Sequence, residues 1–277
     1  MRFSRRQSEA VLHNMGKDKS QRAFELDFIR GFAIFMMMLM HFSWDMYYLF
    51  GISAFGIIDT DVFMDIFHPL YIIVFVGVSG ICCTFSRSNI WRGLKLLAFA
   101  TIETVATIIA QYCFGFECLI LFNVLHLLTV GILLYSLISF VERKFKLDPR
   151  KMNIFMAFIG VWMLMIGVGI SDFESNAGRL FLLPFGVFDY NTEFLGQPLY
   201  YMADYLPIFP NLGLFFVGAV IGRTIYSDKK TLFGNASATV RKITRPFEFI
   251  GRHSLIVYAV HQPIILGLAY LIYWIIT

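Results

Sequence analysis

Charge is scarce in this sequence. Of 277 residues only 15% are Asp, Glu, Lys or Arg, where soluble domains carry about 25%. So poor a polar coat excludes an ordinary water-soluble domain. The four cysteines, Cys82, Cys83, Cys113 and Cys118, have no metal-type spacing with histidines, so no metal site is expected. The Cys82-Cys83 pair reads as small buried hydrophobes, and a Cys113–Cys118 disulfide has no support beyond proximity. No GxGxxG or GxxxxGK loop occurs, and no internal repeat or low-complexity tract. No nucleic-acid motif appears either, so no nucleic-acid partner is expected. The first 22 residues are polar and basic, and the apolar run after them exceeds the h-region of a signal peptide, so a retained first span is expected.

What is present is apolar: 58% hydrophobic residues, 17% aromatics and a mean hydropathy of +0.68. In lipid, helices satisfy their own backbone, and outer-membrane barrels would alternate instead. The composition therefore predicts an all-α, polytopic membrane helix bundle, with the lipid bilayer as its first partner. Apolar runs long enough to cross fall near 28–50, 69–86, 93–114, 118–141, 153–171, 206–226 and 253–276. That is about seven spans, with six to eight as the range. The stretch 178–190 has a short apolar core and Pro184, and reads as interfacial or re-entrant. We divide the chain into a basic N-terminal segment, 1–25, and a single transmembrane domain, 26–277.

Charge bias orients the bundle. With the N-terminus in the cytoplasm, the inner segments hold all 23 basic residues except Arg30 and Arg179. The outer loops hold acids, among them Asp59, Asp61, Asp65, Glu117, Asp172, Glu174, Asp189, Glu193 and Asp204. The long inner connector YSDKKTLFGNASATVRKITRPFEFIGR reads as a basic loop carrying a surface helix, and the net charge of +4 reads as inner-leaflet contact.

Ionisable groups inside the spans are costly and usually mark a site. In LDFIRGFAIFMMMLMHFSWDMYY, Arg30 and His41 are eleven residues apart. Three turns bring them within about 20° on one face, separated by about 16 Å along the axis. Asp27 can pair with Arg30, and Asp45 with His41. His68 precedes Pro69 at the entrance of the second span, where Gly77, Ser79 and Gly80 allow close backbone approach. Glu103 lies mid-span in the third helix. Asn123 and His126 share a face of the fourth, and His261 lies beside Pro263 in the last. Each has an ordinary structural reading as an interfacial anchor or interhelical hydrogen bond. Together they read as the lining of one polar cavity.

The ordered stretches LDFIRGFAIFMMMLMH, FVGVSG, FNVLHLL, ADYLPIFPNLGLFFVGAVIGR and GRHSLIVYAVHQP resemble motifs of bacterial members of the heparan-α-glucosaminide N-acetyltransferase catalytic-domain family. The likeness covers about residues 22–275. Arg-x10-His, VSG and SLxxYxxHQP also resemble the acyltransferase-3 family, and both belong to a superfamily of transmembrane acyltransferases. The resemblance implies transfer of an acetyl or other acyl group from acyl-CoA to a hydroxyl or amine of an extracytoplasmic sugar or glycan. It also implies a multi-pass bacterial inner-membrane protein. It carries the functional arginine and histidine onto Arg30 and His41. The lysosomal enzyme's catalytic histidine lies in the loop between its first two spans. Here GISAFGIIDTDVFMDIF has none until His68, so either His41 or His68 is the reacting residue.

On this reading His41, Asp45 and Arg30 are the catalytic candidates. Arg30, Arg87, Arg92 and Ser79 are candidates for the CoA donor. Asp27, His68, Glu103, Asn123, His126, Asp204 and His261 line the substrate cavity. A neutral His41 can act as a base with Asp45 orienting its ring, or form an acyl-histidine. The outer group Trp44, Tyr47, Tyr48, Asp189, Tyr190, Tyr200, Tyr201 and Asp204 has the composition of a sugar-binding surface and equally of an interfacial aromatic belt. A homodimer is compatible with the sequence. The alternatives are a transporter, which lacks the expected inverted repeat, and a catalytically idle membrane scaffold.

Overall fold

The computed structural model describes residues 23–86, 88–116, 118–170, 180–187, 193–194, 197–198 and 204–276. Arg87, Glu117, Asp172, Glu174, Arg179, Asp189, Tyr190, Tyr200, Tyr201 and residues 1–22 lie outside them. Eight helices carry the described fold: α1 (Phe24–Trp44), α2 (His68–Phe85), α3 (Asn89–Phe114), α4 (Val124–Lys144), α5 (Pro149–Ile170), α6 (Ile208–Thr224), α7 (Ala238–Arg252) and α8 (Ser254–Ile276). α1 winds on as a π-helical turn, Asp45–Leu49, and a second π turn, Phe63–Phe67, leads into α2. Two short strands, Glu193–Phe194 and Gln197–Pro198, form an antiparallel pair.

Six helices are long and apolar enough to cross a membrane, and the seventh expected span is the shorter apolar α6. The chain is thus a multi-pass integral membrane helix bundle. Its outward side chains suit hydrocarbon: on α5 alone Phe158, Trp162 and Met165 are more than half exposed. Local signals set the ends. Pro69 opens α2 and Pro149 opens α5, positions where the missing N–H costs nothing. Gly115 ends α3 in the left-handed conformation at φ 73°.

One expectation on boundaries is corrected. The fourth span starts at Val124, not near 118, because Asn123 caps it and ends the irregular stretch 118–122. Leu119 and Phe122 of that stretch are buried, and the Phe122 carbonyl accepts from the Leu206 amide. The piece near 180, expected to be too short to span, is a 3-10 turn, Leu180–Phe185, whose Leu183 carbonyl accepts from Tyr205 Oη at 2.6 Å. Cys113 and Cys118 are separate thiols, and burial pushes the Cys118 thiol up from its ordinary pKa.

Glycines hold the helices close where the site needs it. α6 lies in the middle, beside α2 on one side and α5 on the other. A Cβ on Gly218 would fall onto the Gly77 carbonyl, and one on Gly80 onto the Phe215 carbonyl. Across the other contact Gly213 and Gly160 meet backbone to backbone. In hydrocarbon such close approach replaces the hydrophobic drive that water would supply. Phe215, Phe216, Ala219, Val76 and Leu127 form the centre of the core. At the N-terminal end α7 crosses α1 in the same way, with Gly31 under Phe247 and Gly251 against Asp27.

A paired substitution tests this packing. Gly218→Ala should lower stability by about 1–3 kcal/mol, as overpacking does. Gly77→Ala, whose Cβ meets open space, should be neutral or stabilising by about 0.5–1 kcal/mol. Thermal unfolding of the two purified variants checks the order.

Candidate functional site

The polar groups separate into two clusters joined by α1. The first sits where α1 begins. Arg30 Nη2 donates to Cys82 Sγ at 2.9 Å and lies 3.5 Å from Asp27 Oδ1, so the expected Asp27–Arg30 pair forms. Asp27 is shared with Arg252 of α7, at 3.3 Å, and Arg252 in turn donates to Glu248 at 2.7 Å. Arg92, from the start of α3, reaches the Cys82 carbonyl at 3.4 Å. Two guanidiniums thus converge on the last turn of α2. The Nε of Arg30 is buried with no hydrogen-bond partner among the described residues. Cys82 is therefore more than a small apolar filler, since its sulfur accepts from the arginine. Ser79, one turn earlier, is buried and donates to its own helix at the Phe75 carbonyl.

The second cluster lies farther along α1. His41 Nδ1 donates to the Met37 carbonyl at 3.0 Å. A carbonyl only accepts, so Nδ1 carries a proton, and Nε2 makes no hydrogen bond among the described residues. His261 repeats the arrangement on α8: Nδ1 donates to the Tyr258 carbonyl, and Nε2 is buried without a partner among the described residues. The two imidazoles meet edge to face with centroids 5.0 Å apart. Asp45, 7% exposed, accepts from Gln262 Nε2 at 3.2 Å. Its carboxylate acts on His41 only through space. The expected hydrogen-bonded His41–Asp45 pair does not form, because the backbone passes into the π turn at Asp45 and the next residue of the HQP motif takes the carboxylate.

A buried ladder continues from this pair. Asn123, fully buried, donates through Nδ2 to Glu103 Oε2 at 2.8 Å and to Tyr258 Oη at 3.3 Å. Tyr258 Oη donates to Asp204 Oδ2. Asp204 has φ 48°, a strained conformation for a residue with a side chain. Its carboxylate lies within electrostatic reach of His68, Tyr71 and His261. His68 is half-buried at the start of α2, its ring on the edge of Tyr71 at 5.4 Å. Asn123 Oδ1 also accepts from the Leu125 amide, and His126 reaches back to the Asn123 amide, which makes the two residues the capping box of α4. The other ring nitrogen of His126 meets Thr104 Oγ1 at 3.3 Å.

Thus His41, Asp45, His68, Glu103, Asn123, Asp204 and His261 come together, and Arg30, Asp27 and Arg92 form a separate group. Arg87 lies outside the described residues. Sequence reasoning missed Tyr258 and Gln262 as members, although both stand inside the quoted stretch GRHSLIVYAVHQP. Beyond the second cluster Trp44 and Tyr48 lie 4.3 Å apart at 39°, both exposed, and Tyr48 Oη donates to Asp59.

Apolar spans around an interior of imidazoles, carboxylates and a buried phenol define a multi-pass membrane protein with a polar interior. The family described as "Heparan-alpha-glucosaminide N-acetyltransferase, catalytic" matches residues 22–263. The chain belongs to that family of membrane acetyltransferases. No curated protein matches it, and no solved structure does.

Because Asn123 serves both the α4 cap and the ladder, Asn123→Ala should cost about 2–4 kcal/mol, the sum of a lost cap and orphaned partners. Tyr258→Phe removes one donor and should cost about 1–3 kcal/mol. Thermal unfolding in detergent should rank Asn123→Ala as the less stable.

Proposed function

We propose that the protein transfers an acetyl, or another acyl, group from acyl-CoA to a hydroxyl or amine of a sugar or glycan across the bacterial inner membrane. The observation that carries this reading is the His41–His261 pair, two imidazoles whose Nδ1 protons are spent on helix carbonyls and whose Nε2 atoms are both unspent. A sugar hydroxyl is a weak nucleophile near neutral pH and needs a base as it attacks a thioester. His41 Nε2 takes the acceptor's proton as the acceptor oxygen or nitrogen bonds to the acyl carbon. The C–S bond breaks, and the CoA thiolate leaves and takes up the proton that His41 gives back. Asp45, held by Gln262, stabilises the imidazolium through space.

The lopsided charge of the loops supports a cytosolic N-terminal end, so the Arg30–Arg92 cluster is the donor end. Guanidiniums bind phosphate through paired N–H groups, and the unpartnered Nε of Arg30 leaves one donor to offer. Arg87 adds charge from the same segment. Ser79, one turn before Cys82 on α2, is assigned to the path of the pantetheine arm. Arg30 and His41 are separated by about 16 Å along one helix face, a distance such an arm can cover. At the far end Trp44 and Tyr48 offer a sugar-stacking platform, with Asp204, Glu103, Asn123, His126 and His68 around the acceptor.

The test is transfer from labelled acetyl-CoA to candidate glycans by the protein in proteoliposomes. His41→Ala should lower kcat by about 10²-fold or more, as loss of a general base does. Arg30→Ala should raise KM for the donor, and His68→Ala should retain most activity. Full transfer by His41→Ala would sink the assignment, and loss confined to His68→Ala would move the base there.

A further inference from the structure

α7 has two unlike sides: Glu248, its small residues and Phe247 face the protein, and Lys242, Ile243, Arg245 and Phe249 face away. Glu248, Thr244 and Gly251 are buried. Glu248 is neutralised by Arg252 at 2.7 Å and by Arg241 at 3.8 Å, and it accepts from Thr244 Oγ1. The inward side is anchored to the first turns of α1, where Phe247 stacks edgewise on Phe28, Phe32 and Phe35 and Arg241 lies over the Phe24 ring at 4.0 Å. These contacts fix α7 at the boundary of the first span, directly before α8 begins at Ser254.

The outward side carries two adjoining stripes. Ile243, Pro246 and Phe249 recur every three residues, with Ile243 64% and Phe249 62% exposed. Lys242 and Arg245, each one residue before a member of that row, are exposed beside it. The loop leading into α7 repeats the pairing, with Lys229 and Lys230 exposed and Leu232 and Phe233 more than half exposed. It is tied to α1 by Glu25, which accepts from Thr231 Oγ1 and the Leu232 amide. An apolar row beside a cationic row at a span boundary fits lipid, with acyl chains against one and phosphate against the other. We propose that α7 and this loop form an interfacial arm that binds anionic phospholipid headgroups through Lys242 and Arg245. The charge complement selects an anionic over a zwitterionic surface, by about fivefold per basic residue. The inference is independent of the acyl-transfer reading.

Full-length protein in nanodiscs of phosphatidylcholine, with or without phosphatidylglycerol, tests it by amide hydrogen exchange over residues 238–252. Phosphatidylglycerol should slow exchange in the parent, and added salt should cancel the slowing, since exposed charges are screened. In K242Q/R245Q the slowing should vanish, with exchange in pure phosphatidylcholine unchanged from the parent. Equal slowing in parent and variant, or none in the parent, would overturn the proposal. The salt arm reads out on the parent alone and so holds even where the variant fails to fold.

Discussion

A polar atom inside a hydrocarbon slab must find a partner within the protein, and the interior of this bundle is arranged around that demand. Each carboxylate, amide and phenol of the Glu103–Asn123–Tyr258–Asp204 ladder has a specific neighbour. In low dielectric such a network is worth keeping only if nearly complete, because each orphaned group costs the full desolvation penalty. Against that background the exceptions are informative. Arg30 Nε, His261 Nε2 and Gln262 Oε1 are the buried side-chain polar atoms left without a partner among the described residues. One lies in the arginine cluster and two in the histidine cluster. On the proposed reading, this unspent capacity is what the acyl-CoA and the acceptor use.

Helix packing makes the network attainable. At the α2–α6 contact Gly80 lies against the Phe215 carbonyl and Gly218 against the Gly77 carbonyl, too close for a Cβ on Gly80 or Gly218. The early end of α4 at Asn123 brings a cap residue level with the middle of α3, where Glu103 waits for a donor. Cap, ladder and histidine pair are therefore one construction. Asn123 starts a helix, holds a carboxylate and supports Tyr258, which positions Asp204.

Much of this was legible in the residues. The eleven-residue interval of Arg30 and His41 on an apolar helix gave two polar positions on one face at different depths, and the Asp27–Arg30 spacing gave a pair that forms. What escaped was tertiary or conformational. His41 and Asp45 have helical pairing distance, but a π turn begins at Asp45 and its partner comes from 217 residues away. Cys82 read as filler because its partner, Arg30, is 52 residues distant. Asn123 read as part of a span because the apolar run continues on both sides of it. The capping pattern Asn-x-x-His was the available signal. Nothing in the sequence near Asp204 announced its left-handed backbone.

The proposed transfer depends on α1 joining a donor end to a transfer end. The most direct measurement is the position of acetyl-CoA in a structure of the complex. The CoA phosphates should lie at Arg30 and Arg92, with the thioester carbonyl beside the Nε2 atoms of His41 and His261. Phosphates bound instead at the Trp44–Tyr48 end, with the thioester remote from both histidines, would contradict it.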